Sequence, residues 1–332
     1  MKQVLKLIEA GELDDKVSDW YSLLGFCDFH RITGYLADKL IAIPDAPAQL
    51  KRHTGIQKAY QTHKQNKIID AAKEMSTCLE EAKLPHSFLK GVILSGEIYG
   101  AGQRCSNDVD LLISPNNVGK ASDILKSLGY IQGVYKDGEI NPFDRLEIIK
   151  RRMNRGEAAP FVKLTQDLFV PFIEVDINFS LDWLPANEGL TELFLQNTLK
   201  SHAGLRTLDA EHCFIYLCMH LYKEAAVLSM VKRLKDIELY KYVDIFRIVK
   251  LIKIEVFWEL ADWYGLRSQC EYVLYCTNLL FPSLDLKISK PKGLDKVIDP
   301  ENGDKEYVWK LPFIERMNDT SRLNKLRSID EK

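Results

Sequence analysis

Two short segments constrain this chain more than any others. They read Asn107-Asp108-Val109-Asp110-Leu111-Leu112-Ile113 and Phe172-Ile173-Glu174-Val175-Asp176-Ile177-Asn178-Phe179. Side chains on a strand alternate faces with period 2. Asp108 and Asp110 therefore point the same way, and Val109 and Leu111 turn into a core. In the second segment Glu174, Asp176 and Asn178 face one side, while Ile173, Val175, Ile177 and Phe179 face the other. Each segment is a strand with an apolar back and an acidic front. A fold that keeps both needs a sheet with one face packed and the other carrying carboxylates.

The surrounding pattern places that sheet between helical regions. Residues 1–82 read as helices, with Leu5, Ile8 and Leu13 opening the periodicity and a break at Ile43-Pro44-Asp45-Ala46-Pro47. A long polar helix from about Ala48 to Ala82 leans a thin stripe of Ile56, Tyr60, Ile68, Ala72, Met75 and Leu79 on the rest. Residues 83–200 form the sheet-bearing core. It contains a strand at His86–Lys90, a short helix from Gly91 and a helix over Val118–Leu128 closed by Gly129. A strand at Tyr130–Tyr135 and a strand pair around Gln166-Asp167 complete it. Helical spacing returns over 201–285, where Tyr240, Tyr242, Trp258, Trp263 and Tyr264 are expected to pack. Residues 286–332 form a polar tail with a hairpin around Asp299–Asp304. The expected class is α+β: a small mixed sheet flanked by N-terminal and C-terminal helical regions.

Composition narrows the function classes. The 45 basic and 47 acidic residues leave a formal charge of −2, without the basic excess that favours non-specific nucleic-acid binding. Seven cysteines, Cys105 among them, include no C-x-x-C pair, which fits reduced thiols and a cytoplasmic setting. The first residues meet charges too early for a secretory h-region, and no long uncharged apolar run suggests a membrane span. His212, Cys213, Cys218 and His220 match no zinc spacing.

The acidic strands carry the chemistry. Two carboxylates side by side repel unless a positive charge lies between them, and oxygen ligands suit Mg²⁺. A third carboxylate from the second strand makes a site for two metal ions. Either Glu174 or Asp176 can supply it. Upstream, Leu89-Lys90-Gly91 turns a strand into a helix, whose N-terminus offers free N–H groups to an anion.

With Lys90-Gly91, Tyr99, Arg104, Asp108-Val109-Asp110-Leu111-Leu112, Gly129-Tyr130 and Val175-Asp176-Ile177 in this order, the chain resembles the nucleotidyltransferase superfamily with the DNA polymerase β-like fold. More narrowly it resembles an uncharacterised bacterial nucleotidyltransferase group, over roughly residues 84–280. The resemblance implies an enzyme that moves a nucleoside monophosphate from an NTP, taken as ATP, to an acceptor and releases pyrophosphate. It implies Asp108, Asp110 and Asp176 as catalytic residues and metal ligands for two Mg²⁺ ions. Lys90, Gly91, Ser95 and Arg104 are implied near the triphosphate. Gly91-Val92 stands where the superfamily has Gly-Ser or Gly-Gly, and Ser95, one turn later, is the candidate replacement hydroxyl.

Two other readings are carried. One is a non-catalytic binding module of this fold, such as an antitoxin, with a protein partner. The other is a nucleic-acid end-modifying transferase, against which the near-zero charge argues. The acceptor is left open among small molecule, peptide and protein. The basic run Lys150-Arg151-Arg152 with Arg155 reads as a solvated helix face, with contact to a phosphorylated acceptor as the alternative.

Overall fold

The computed structural model describes residues 1–11, 17–104, 106–183, 189–319 and 321–329; Leu13 and Cys105 lie outside them. In chain order the helices are α1 (Lys2–Glu9), α2 (Trp20–Phe29), α3 (Thr33–Ala42), α4 (Ala48–Glu81), α5 (Lys90–Glu97), α6 (Val118–Ser127), α7 (Arg145–Asn154), α8 (Leu190–Gln196), α9 (Ala210–Ala226), α10 (Leu228–Lys232), α11 (Leu239–Ile248), α12 (Ile254–Trp263), α13 (Arg267–Leu280) and α14 (Phe313–Arg316). The strands are β1 (His86–Leu89), β2 (Asp108–Ile113), β3 (Ile131–Lys136), β4 (Glu139–Pro142), β5 (Phe161–Leu164), β6 (Phe172–Asn178), β7 (Thr198–Lys200), β8 (Arg206–Leu208), β9 (Lys296–Asp299), β10 (Lys305–Trp309) and β11 (Leu326–Ser328). The class is α+β, as the strand and helix periodicities indicate.

The chain divides into two units. One comprises residues 51–213, the other residues 1–50 and 214–332. The first holds an eight-stranded mixed sheet in the order β4-β3-β5-β6-β2-β1-β8-β7. β2 runs parallel to β6, and β1 lies antiparallel to β2 on its other side. The buried backs of β2 and β6 (Val109, Leu111, Ile113, Ile173, Val175, Ile177) share one core cluster with Phe88, Phe161 and Tyr130. The body of α4 belongs to this unit, because Ile68, Ala72, Met75 and Leu79 enter the same cluster. Its stripe is shorter than the spacing suggests. Ile56 is 63% exposed and Tyr60 37%, so only the C-terminal half of the helix lies over the core. At the end of α6, Gly129 takes φ +87°, the left-handed cap expected of it, and Tyr130 N–H bonds back to Leu125 O.

The second unit gathers helices α1–α3 with α10–α14 and a three-stranded sheet, β11-β10-β9. The hairpin around Asp299–Asp304 forms as β9 and β10, and β11 adds a third strand. Tyr242 is fully buried here, whereas Trp263 is exposed rather than packed. The tail is also less polar in its placement than in its sequence: Trp309, Phe313, Arg316 and Arg322 are all buried. Among the described residues no helix is long and apolar enough to cross a membrane.

Candidate active site

The register of β2 and β6 builds the site. Asp108 stands opposite Glu174, Asp110 opposite Asp176 and Leu112 opposite Asn178. Because neighbouring strands lie about 4.8 Å apart, same-face carboxylates at paired positions come together. One oxygen from each of Asp108, Asp110 and Asp176 lies within 4.8 Å of the others. Glu174 faces the same way, but it is not in this group.

Electrostatics makes the group unstable as three bare anions. Burial pushes the Asp110 carboxyl up to about 6; Lys90 pulls it down and Asp108 pushes it further up. Asp176 is raised well above the usual carboxylate range, by burial first and then by Asp108, Glu157, Asp110 and Glu174. Burial also raises Glu174, with Asp108 and Asp110 adding to it and Lys64 opposing. Each effect has the sign expected when like charges share a desolvated site.

A cation already answers part of that charge. Leu89 pairs with Asp110 across β1 and β2, so the next residue, Lys90, emerges beside the acidic face. Its Nζ lies 2.6 Å from Asp110 Oδ1. Lys90 has φ +47°, a left-handed conformation unfavourable for a residue with a Cβ. Strain of this kind persists where surrounding structure enforces it, and it clusters at functional sites. Asn178, 3% exposed, donates to Asp110 Oδ1 at 3.4 Å. An all-oxygen donor set with excess negative charge fits a hard divalent cation such as Mg²⁺.

The residues around the turn are placed as follows. Gly91 is buried, and a Cβ there would lie 2.3 Å from Ser106 Oγ and 2.5 Å from Ser106 Cβ. Glycine is thus required by the packing of α5 against the residue that leads into β2. Ser106 Oγ in turn donates to the Asp108 carbonyl at 2.9 Å. Ser95 is 2% exposed, and its hydroxyl donates to the Gly91 carbonyl one turn back, so it is turned into the helix. Arg104 is 8% exposed, at the end of the loop after α5.

The sequence did not reveal what α4 does here. Its Gln65 donates to Ser95 O at 2.8 Å and accepts from Gly102 N–H at 3.1 Å, which ties α5 and the following loop together. Gly102, at φ +71°, would place a Cβ 2.4 Å from Lys58 O, so this approach also demands glycine. Lys64 Nζ donates to Asn107 Oδ1 at 2.8 Å, one residue before Asp108. The polar side of α4 therefore serves the acidic site, where its composition alone suggested only solvent contact.

The chain is a nucleotidyltransferase by family: it belongs to the family described as Uncharacterised nucleotidyltransferase, whose model matches residues 16–282. The match extends beyond the acidic strands into the N-terminal helices and ends before β9. No curated protein matches the chain.

Proposed function

We propose that this nucleotidyltransferase is Mg²⁺-dependent and moves a nucleoside monophosphate from ATP or another NTP to an acceptor hydroxyl, releasing pyrophosphate. The observation that carries the reading is the convergence of Asp108, Asp110 and Asp176 within 4.8 Å, with Asp110 and Asp176 made hard to ionise by burial and by one another. These three residues would hold two divalent ions, which supply charge stabilisation to the phosphoryl oxygens when bound.

The chain's own groups have distinct tasks in this reading. The first turn of α5, beginning at Lys90-Gly91, directs backbone N–H groups toward the triphosphate. Lys90 and Arg104 contribute positive charge against it. Asp176 has its proton affinity raised, and it accepts the proton of the acceptor hydroxyl. Asn178 and Ser106 hold Asp110 and the Asp108 backbone in place. Ser95 is left out, because its hydroxyl bonds Gly91 O. Positioning and charge neutralisation then supply most of the rate.

The test is transfer of label from α-³²P-labelled NTPs, with Mg²⁺ or Mn²⁺, to pools of small molecules, peptides, proteins and RNA. Label transfer that needs the metal and vanishes in Asp110→Asn supports the reading. Metal-dependent NTP binding with no transfer to any pool favours the binding-module alternative.

A further inference from the structure

We infer that the chain carries a second, buried oxyanion-binding seat, formed by Arg316 and Arg322 around Trp309 in the segment beyond the family-matched span. Arg322 is 0% exposed, Arg316 2% and Trp309 4%. Both guanidinium carbons lie against the indole, at 4.9 Å for Arg316 and 5.4 Å for Arg322. Two permanent positive charges are thus withdrawn from water beside one aromatic ring.

Their partners do not match them. Arg322 Nη2 donates to Asp236 Oδ1 at 2.6 Å and to Val231 O at 3.4 Å. Among the described residues no carboxylate pairs with Arg316, and its Nε and Nη2 have no hydrogen-bond acceptor. Arg322 Nε and Nη1 and Trp309 Nε1 are likewise without one. Nε and Nη2 form one edge of the planar fork, the edge that takes two oxygens of a carboxylate or phosphate at once. Asp236 acts on Arg316 electrostatically but accepts no hydrogen bond from it, so the guanidinium stays buried with its donors unmet, a cost that a bound oxyanion removes.

Five unanswered donor atoms beside one ring call for an anion with at least two oxygens; among the described residues Asp236 is the one carboxylate in ion-pair contact, serving both arginines electrostatically, and Asp319 acts on Arg322 without such contact. A cavity of about 390 Å³ is lined by Trp309 and Phe313, and also by Lys290, Lys310 and Asp295. It reaches the indole, edged by two lysines and one opposing acid, while Arg316 and Arg322 themselves lie behind its lining. The seat is independent of the acidic strands, which belong to the other unit.

The test uses the full chain, with thermal melts in inorganic phosphate, acetate and chloride at matched ionic strength. Phosphate, acetate or both should raise the midpoint saturably above chloride, by roughly 5–10 °C at about a hundred times the dissociation constant. A larger shift with phosphate assigns a phosphoryl ligand, and an equal or larger shift with acetate assigns a carboxylate. Arg316→Met should lose the shift, while Arg316→Lys keeps only part of it, since an ammonium lacks the two-pronged edge. If neither variant folds, indole fluorescence of the wild type is titrated with the same anions, with Trp309→Phe as the control that loses the response. No shift beyond chloride, a shift kept in full by Arg316→Met, or a fluorescence response unchanged in Trp309→Phe overturns the inference.

Discussion

Gly91→Ala separates packing from chemistry at the turn into α5. The added Cβ would lie 2.3 Å from Ser106 Oγ and 2.5 Å from Ser106 Cβ, with the Ser106 α-carbon at 3.4 Å. The first two distances are shorter than any real Cβ tolerates, so either Ser106 or α5 must move. Overpacking of a buried site costs typically about 1–3 kcal/mol. At about 2–4 °C per kcal/mol this lowers the midpoint by roughly 2–12 °C. Ser106→Gly removes both offending atoms and leaves only the α-carbon, at an ordinary van der Waals separation. Alone, it loses the hydrogen bond to the Asp108 carbonyl and adds chain entropy, together about 1–2 kcal/mol. The double variant should be less destabilised than the sum of the singles by at least about 1 kcal/mol, because the clash no longer exists. Urea unfolding of the wild type, both singles and the double gives this coupling directly. Additivity within about 0.5 kcal/mol would refute the packing argument, and Gly91 would then be required for another reason.

Three further outcomes follow from the charges. Asp176→Asn should raise the metal-free melting midpoint at pH 8 by a few degrees, since it removes a half-buried carboxylate crowded by Asp108, Glu157, Asp110 and Glu174; an unchanged or lower midpoint contradicts the repulsion. Metal affinity should fall as pH drops below about 6, where Asp110 takes up a proton that a cation must displace, and Mn²⁺ titrations at pH 7.5 and 5.5 check this. In the other unit, burial holds His30 neutral and pushes its pKa down to about 4 from 6.5. The unfolded chain therefore binds the proton first. Stability is full above pH 6.5 and declines as pH falls toward 4, by about 3 kcal/mol in all. His30→Gln should flatten that decline in urea unfolding at pH 7 and 4.5.

The acidic strands were legible because their information is local. Alternation over seven or eight residues fixes both the strand and the face, so the sequence alone puts Asp108 beside Asp110 and Glu174 beside Asp176; the register of the two strands then brings Asp176 to the pair. The cap at Gly129 was legible for the same reason. The edge strands β4 and β7, and β8 beside β7, were not, because they are three or four residues long and carry Pro, Lys or Arg, which blur the alternation. The exposure of Ile56 and Tyr60 on α4 escaped the pattern, since helical spacing tells which residues share a face, not how far along the helix the core extends. Lys64, Gln65 and Ser106 act by joining distant or non-periodic positions, and no pattern in the sequence marks them. Arg316 and Arg322 read as solvent-facing because charge is the usual mark of a surface; their burial depends on the three-stranded sheet and α14 closing around Trp309.

The dependence of nucleotide binding on the acidic strands is read by calorimetric titration of a non-hydrolysable ATP analogue, with and without Mg²⁺, into the wild type and Asp110→Asn. Asp110 is the triad member that touches both Lys90 and Asn178, and its replacement removes a ligand charge while leaving nearly the same shape. Binding in the wild type should require Mg²⁺ and be lost in Asp110→Asn, although the variant melts at or above the wild-type midpoint without metal. Binding of equal strength in both proteins, or binding indifferent to Mg²⁺, would place the nucleotide away from the acidic strands and contradict the account.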